Sequence, residues 1–198
     1  MTKNYKSLII LILFALQVVS SWAQNPFVFH NKKFRIAQFT DLHWDAKSPK
    51  CDSTRTTILN ILQREKPDIA ILTGDVVTEK PYEKGWKQII EIFETARTPF
   101  VVTMGNHDAE HFSRDEIYRM LFASKFYSGL PSPKEISGNG NCALPIYDNN
   151  TANAKPKAVL YCIDSNDYQP DKDLGEYDWI HFDQIEWYRR TSEAFTLQ

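Results

Sequence analysis

The sequence predicts an α/β fold in which parallel strands are joined by crossover helices. Short apolar segments that are typical of strands lie at residues 34–39, 69–72 and 99–102. Between them lie two segments whose apolar side chains recur at helical spacing. The order strand, helix, strand, helix, strand favours a parallel sheet built from right-handed crossovers.

The first crossover helix is predicted after a loop that contains Pro49. Ser53 is expected to cap this helix, and its apolar face consists of Ile58, Ile61 and Leu62. The helix is expected to end before the proline at position 67, because proline cannot continue it.

The second strand and second helix have stronger signals. Residues 69–72 are wholly apolar, as expected for a strand that is covered on both faces of the sheet. Trp86, Ile89, Ile90 and Phe93 then follow at i, i+3, i+4 and i+7, which predicts an amphipathic helix.

Two capping boxes predict helices in the second half of the chain. Ser113 with Glu116 precedes one apolar helical segment, and Asp183 with Glu186 precedes another. We expect a helix to begin at each pair.

The region between these helices predicts a loop and two strands. Residues 128–157 are rich in Gly, Pro, Ser and Asn, so they predict a long loop with one strand near residues 143–147. Residues 158–163 predict a second, buried strand that contains Cys162.

The composition excludes several classes of protein. The chain has 198 residues, is 42% hydrophobic and has a formal net charge of −2, so disordered and coiled-coil proteins are excluded. No basic excess favours a nucleic-acid partner. Three cysteines are too few for a disulfide scaffold, and whether Cys51 pairs with Cys142 is left open.

Residues 1–23 have the order of a secretory signal peptide. A basic start and an apolar run lead to small residues at Ser21 and Ala23, which predict cleavage before Gln24. The alternative is a membrane anchor, but an apolar stretch of about 12 residues is short for ~30 Å of hydrocarbon. We therefore expect a periplasmic or secreted protein, not stably inserted in a membrane, with one domain over residues 24–198.

Three polar clusters follow the first three predicted strands, at the point where each strand ends. The carboxyl ends of parallel strands share one edge of a sheet, so we expect these clusters to meet. Carboxylate, imidazole and amide oxygen suit a first-row metal ion, and one carboxylate can bridge two ions. The clusters are Asp41-Leu42-His43, Gly74-Asp75 and Gly105-Asn106-His107-Asp108.

In this order, the clusters resemble the motifs of the calcineurin-like metallophosphoesterases. The pattern of that superfamily runs Asp-x-His, Gly-Asp-x-x-(Asp/Asn), Gly-Asn-His-(Asp/Glu), then a further His and Gly-His-x-His. Residues 177–187 also resemble the Gln-x-x-Trp segment of its purple-acid-phosphatase-like branch. The resemblance covers residues 34–190 and implies the N-terminal part of a four-layer α/β/β/α sandwich.

The resemblance implies a dinuclear metal centre. Asp41 and His43 would bind the first ion, Asp75 would bridge both ions, and Asn106 would bind the second. Iron, manganese and zinc all suit these ligands.

The resemblance also implies a reaction. His107 would stand beside the scissile phosphate as electrophile or general acid, oriented by Asp108. A hydroxide that bridges the two metal ions would attack phosphorus in line. The expected protein is a metal-dependent phosphoesterase, and a phosphomonoesterase is the first hypothesis. Its substrate would be a phosphate-ester small molecule or a phosphoprotein. A phosphodiester is the alternative substrate.

The sequence departs from the superfamily pattern at two points. Thr78 stands where many members have Asp or Asn and where the purple enzymes have a ligating Tyr. After Asn106, no Gly-His-x-His follows before Gln198. His111 is expected near the pocket rim, and His181 is expected to be structural.

These departures motivate a second hypothesis. The chain would be a truncated, non-catalytic member of the superfamily that binds a phosphate ligand or a partner protein. Its metal affinity would be low, because imidazole ligands supply much of the binding.

Overall fold

The computed structural model describes residues 26–148 and 155–197. The predicted signal peptide, residues 1–23, lies outside the described residues. Within the described ranges, no helix combines the length and apolar character needed to cross a membrane.

Strands and helices alternate through the first half of the domain. Six strands and four helices are found in the part of the chain that the structure describes. In chain order they are β1 (Phe27–Val28), β2 (Ile36–Phe39), α1 (Lys50–Glu65), β3 (Ile69–Thr73), α2 (Tyr82–Ala96), β4 (Phe100–Thr103), α3 (Arg114–Phe122), β5 (Cys142–Tyr147), β6 (Ala158–Cys162) and α4 (Phe182–Leu197).

One sheet has the order β2-β3-β4 and is parallel throughout. Ile36 lies opposite Ile69, and Ala70 lies opposite Phe100. Because α1 and α2 are the crossovers between successive strands, all three strands end at the same edge. The predicted parallel α/β architecture is therefore confirmed.

The second sheet has the order β1-β5-β6. β5 runs parallel to β1 and antiparallel to β6, with Cys142 opposite Cys162. The prediction of a buried strand near residues 158–163 is wrong in part, because only Cys162 of β6 is buried. The physical reason is that β6 lies at the edge of its sheet.

Cys51, Cys142 and Cys162 are all free thiols, so the Cys51–Cys142 pairing is not formed.

The predicted start of α1 is also wrong. The helix begins at Lys50, immediately after Pro49, whose φ of −64° is already helical. Ser53 therefore lies inside the first turn, where its carbonyl oxygen accepts a hydrogen bond from the Thr57 hydroxyl at 2.9 Å.

The two predicted capping boxes have different outcomes. The box of Ser113 and Glu116 is confirmed at the start of α3. At α4, the first backbone bond runs from Ile185 N to the carbonyl oxygen of His181 at 3.1 Å, so Asp183 lies within the first turn. Its carboxylate accepts from the backbone N–H and the hydroxyl of Ser137, both at 2.8 Å. Asp183 Oδ1 accepts from Gln184 N at 2.7 Å, so the side chain joins the loop of Ser137 to the first turn of α4 from inside the helix.

The hydrophobic core lies between the parallel sheet and its helices. Ile69 and Leu72 of β3 and Trp86 and Phe93 of α2 are fully buried. The rings of Phe93 and Phe100 stack with centroids 4.7 Å apart. Full burial of a large apolar side chain stabilises the fold by about 1.5–3 kcal/mol, so this packing fixes the strands that carry the polar clusters.

A buried polar network fixes the start of α4 against the second sheet. Gln184 is completely buried, and its amide donates to Asn141 Oδ1 at 3.0 Å and to the Asp164 carbonyl oxygen at 2.7 Å. Its Oε1 accepts from His181 N at 2.8 Å and from Asn166 Nδ2 at 3.2 Å. One side chain thus joins the long loop, the end of β6 and α4.

We predict that Gln184→Met destabilises the fold by about 1–3 kcal/mol, because the Asp164 carbonyl oxygen and its neighbours lose buried hydrogen bonds while volume is retained. Chemical denaturation followed by circular dichroism measures this change. The matched control is Gln63→Met on the exposed surface of α1, which should change stability by at most about 0.5 kcal/mol. Equal effects of the two substitutions would contradict the role of the network.

Candidate metal centre

The three polar clusters predicted from sequence meet at the carboxyl edge of the parallel sheet. Asp41, His43 and Asp75 each offer one ligand atom, and these atoms all lie within 4.8 Å of one another. Asp41 and His43 are exposed and Asp75 is half-buried. The group is therefore open to solvent and formed by residues from two neighbouring strand ends.

The backbone of these residues adopts an uncommon conformation. The φ angles are 52° at Asp41, 43° at His43 and 50° at Asp75. Non-glycine residues adopt positive φ rarely, and such residues cluster at functional sites. Hydrogen bonds hold this shape, from Asp41 N to the Gly74 carbonyl oxygen at 3.1 Å and from His43 N to the Asp75 carbonyl oxygen at 2.9 Å.

The loop after β4 approaches Asp75 very closely. A Cβ at Gly105 would lie 2.3 Å from Asp75 Oδ1 and 2.7 Å from Asp75 N, so any side chain there would collide with the site. The close approach lets the backbone N–H of His107 donate to Asp75 Oδ1 at 3.2 Å. The third cluster is thereby joined to the second.

Asp108 holds two loops together from below this group. Its side chain is 1% exposed. Oδ1 accepts hydrogen bonds from Val76 N at 2.8 Å and from Val77 N at 3.0 Å. Oδ2 accepts a hydrogen bond from Gly105 N at 2.9 Å. Burial raises the pKa of Asp108, while the three N–H donors oppose that rise. Both oxygens of Asp108 accept from backbone N–H groups, so Asp108 would act on His107 through the loop backbone, and its orienting role stays a prediction.

The acid that contacts His107 is Glu110. His107 Nδ1 lies 2.9 Å from Glu110 Oε1, and the Tyr168 hydroxyl donates to the same oxygen at 2.7 Å. The hydrogen bond to Glu110 raises the pKa of His107, although burial opposes it. Hydrogen bonds from Tyr168 and then His107 lower the pKa of Glu110.

Sequence reasoning missed both Glu110 and Tyr168. Glu110 lies three residues after His107, and this short spacing could have indicated a contact between the two side chains within one loop. Tyr168 lies 61 residues after His107, and no local signal links the two.

Asn106, the fourth predicted ligand, lies beside this group. Its Nδ2 donates to the Tyr168 hydroxyl at 3.0 Å. His107 lies at the same edge of the sheet, and its ring centroid is 6.2 Å from the ring centroid of His43.

His111 and His181 make contacts outside the group of three ligands. The ring of His111 is exposed and lies 5.7 Å from that of Tyr82. His181 contacts Asp178 through Nε2 at 3.0 Å and Ser137 Oγ through Nδ1 at 3.1 Å. Neither belongs to the ligand group formed by the described residues.

Trp44 follows the first cluster directly, which makes it a candidate to line the pocket. It is instead a core residue, 1% exposed, whose Nε1 donates to Gln88 Oε1 of α2 at 2.9 Å. Its packing fixes the loop that carries Asp41 and His43.

The donor set fits a metal ion. Two carboxylates and one imidazole, with ligand atoms within 4.8 Å, form a compact oxygen and nitrogen site. Such donors are accepted by zinc, manganese and iron.

Comparisons with known proteins agree with this geometry. A family model described as calcineurin-like phosphoesterase matches residues 34–196. The chain is 29% identical over 187 residues to "Probable inactive purple acid phosphatase 29" of Arabidopsis thaliana, which covers 82% of this chain and 48% of the relative.

Two further relatives are similar at lower identity. "Probable inactive purple acid phosphatase 14" of Arabidopsis thaliana is 27% identical, covering 84% of this chain and 48% of the relative. "Phosphatase DCR2" of Saccharomyces cerevisiae is 27% identical, covering 75% of this chain and 29% of the relative. The chain thus spans about half the length of the plant relatives and less of the yeast one.

The match extends over most of the chain and includes every strand-end cluster described above, with the three ligands in one compact group. The chain belongs to the calcineurin-like phosphoesterase family.

Proposed function

We propose that the chain hydrolyses phosphate monoesters in a metal-dependent reaction at the edge formed by Asp41, His43 and Asp75. The observation that carries this proposal is the convergence of these three ligands within 4.8 Å, with His107 bonded to Asp75 through its backbone. Asn106 would supply a further oxygen ligand. Two bound ions would polarise the phosphoryl group and provide a nucleophile from water at neutral pH.

His107 acts on the leaving group in this proposal. Its Nδ1 faces Glu110, so its Nε2 remains for the substrate. The contact with the Glu110 carboxylate favours the protonated imidazole, as the raised pKa of His107 indicates. The ring can therefore donate a proton to the alcohol oxygen as the P–O bond breaks.

Asp75 and the surrounding backbone position the reacting groups. The Asp75 carboxylate accepts from His107 N, so the ligand and the acid keep a fixed relation to each other. Asp108 holds the two loops together through Val76, Val77 and Gly105. We assign Asp108 this positioning role.

The substrate class follows from exposure and charge. Asp41 and His43 are exposed, so the site can accept a phosphate group carried by a small molecule or by a phosphoprotein. The chain has 23 basic and 25 acidic residues, which disfavours a polynucleotide substrate.

A second candidate function is non-catalytic binding of a phosphate ligand or a partner protein. The observation that favours it is that two similar plant proteins are named as probable inactive phosphatases. The same site would then bind phosphate without turnover.

We predict that Asp75→Ala removes metal-dependent hydrolysis of p-nitrophenyl phosphate and lowers bound metal well below the about two ions per chain expected for the wild type. The reason is that this carboxylate would bridge the ions. Elemental analysis and a hydrolysis assay with added manganese or zinc measure both quantities. Unchanged metal content and turnover in the variant would contradict the assigned site.

We predict that His107→Ala lowers kcat by about 10²–10⁴-fold, as for the loss of a general acid, while metal content stays the same. His30→Ala is the matched control, because that imidazole is exposed and lies before β2, away from the metal centre. Phosphate binding without turnover by the wild type would instead favour the non-catalytic function.

We also propose that the chain is exported. Expression with residues 1–23 in a host with a secretory pathway should yield a protein whose N-terminus is Gln24, because the small Ala23 precedes the cleavage site. N-terminal sequencing of the recovered protein tests this. A mature protein that starts at Met1 and remains with the cells would contradict export.

A further inference from the structure

A chain of hydrogen bonds links Asn106 to His107 through side chains that lie on different loops. Asn106 Nδ2 donates to the Tyr168 hydroxyl at 3.0 Å, and that hydroxyl donates to Glu110 Oε1 at 2.7 Å. Glu110 Oε1 lies 2.9 Å from His107 Nδ1. The Tyr168 oxygen also lies 3.4 Å from His107 Nδ1. One phenol thus contacts all three other side chains.

The donor and acceptor roles in this chain determine the orientation of the Asn106 amide. A carboxylate only accepts hydrogen bonds, so the single hydroxyl proton of Tyr168 is committed to Glu110. The Tyr168 oxygen can then only accept, and the amide must turn its NH₂ group towards it. Asn106 Oδ1 is left free on the opposite side, as a metal ligand requires.

The same reasoning determines the tautomer of His107. Because Glu110 Oε1 accepts, His107 Nδ1 must carry the proton that points towards it. His107 Nε2 is then the nitrogen available to the substrate. The amide and the imidazole are therefore set by one shared pair, Tyr168 and Glu110.

The Tyr168 ring is itself held in place. It stacks on the ring of Tyr177 with centroids 5.9 Å apart at an angle of 25°, and the backbones of these two residues form a β-bridge. Lys172 Nζ lies 5.9 Å from the ring centroid of Tyr168. These contacts keep the hydroxyl aimed at the site from the segment that follows β6.

We propose that Tyr168 is a positioning residue that, together with Glu110, aligns the Asn106 amide for metal binding and the His107 imidazole for the phosphate ester. The inference rests on the proposed function for its catalytic consequence. The orientation of the Asn106 amide and the tautomer of His107 do not depend on that function and can be measured without turnover.

The first test measures metal affinity. Tyr168→Phe keeps the ring and its stacking on Tyr177 but removes the hydroxyl. Mn²⁺ titration of the full chain by calorimetry should show binding weakened by about 10–100-fold, the usual effect of losing a partner that orients a ligand. The matched control, Tyr177→Phe, alters the exposed partner of the stacked pair and should leave the affinity within about twofold.

The second test measures catalysis. Tyr168→Phe at saturating Mn²⁺ should lower kcat by about tenfold or more with KM little changed, because the ring of His107 loses its fixed direction. Glu110→Gln should lower kcat similarly while it keeps most of the Mn²⁺ affinity, since glutamine still accepts from Tyr168. A purely structural role would lower the melting temperature of both variants without this division between affinity and kcat.

The third test reads the histidine directly and needs neither metal nor turnover. Long-range ¹H–¹⁵N spectra, recorded at alkaline pH where the imidazole is neutral and assigned with His107→Ala, should show the Nδ1–H form of His107 in the wild type. Glu110→Ala should shift it towards the Nε2–H form, because the acceptor that holds the Nδ1 proton is removed.

The outcomes separate the two proposals. If the wild type hydrolyses no phosphate ester, but Glu110→Ala alters the tautomer and Tyr168→Phe weakens Mn²⁺ binding, the positioning role is supported and the proposed phosphomonoesterase is refuted. Unchanged tautomer in Glu110→Ala together with unchanged Mn²⁺ affinity in Tyr168→Phe would overturn the positioning role, whatever the activity.

Discussion

The candidate site depends above all on one buried carboxylate. Asp108 accepts three backbone N–H groups, two from the loop after β3 and one from the loop after β4. Hydrogen bonds to a charged group contribute about 1.5–3 kcal/mol each, but burying the charge offsets much of this. The raised pKa of Asp108, caused first by burial, indicates that the cost is substantial. What the carboxylate secures is the relative position of Asp75 and His107.

Hydrogen bonds between the loops also stabilise the uncommon backbone conformation of the ligand residues. Three residues with positive φ angles carry the ligand group, and each such conformation costs of order 1–3 kcal/mol. Continuation of the parallel hydrogen-bonding pattern past the strand ends, from Asp41 to Gly74 and from His43 to Asp75, offsets that cost. Gly105 completes the arrangement, since only a residue without a side chain fits against Asp75. The packing of the sheet and the contacts between the short loops therefore maintain a backbone conformation that an isolated peptide would not keep.

How much could be predicted from the sequence follows from which interactions are local. The strands other than β1, the helix α2 and the capping box of α3 were predictable because apolar spacing and caps act within a few residues. The convergence of Asp41, His43 and Asp75 was predictable because parallel strands end at one edge. The start of α1 was misassigned because Pro49 took the first helical conformation ahead of Ser53. The edge position of β6 depends on sheet order, which its sequence does not encode.

The side chain that contacts His107 was missed for a different reason. The resemblance to the superfamily implied Asp108 as the orienting acid, but the Asp108 carboxylate turns towards the backbone N–H groups of Val76 and Val77, and Glu110 contacts the imidazole. Tyr168 could not be found from sequence because its approach depends on how the segment after β6 meets the first sheet. That approach was outside the reach of any local pattern.

An ion pair brings that segment to the site. Arg114, in the first turn of α3, contacts the buried carboxylate of Asp164 and also reaches Asp167 Oδ2 at 3.4 Å. Burial disfavours the Arg114 charge, but Asp164 more than compensates, so the pKa of Arg114 is raised. Because α3 follows the loop of Asn106 and His107, and Asp167 directly precedes Tyr168, this pair fixes both ends of the hydrogen-bond chain that contains Glu110. The geometry of the candidate site is consequently a property of both sheets, although its predicted metal ligands all lie at the edge of one.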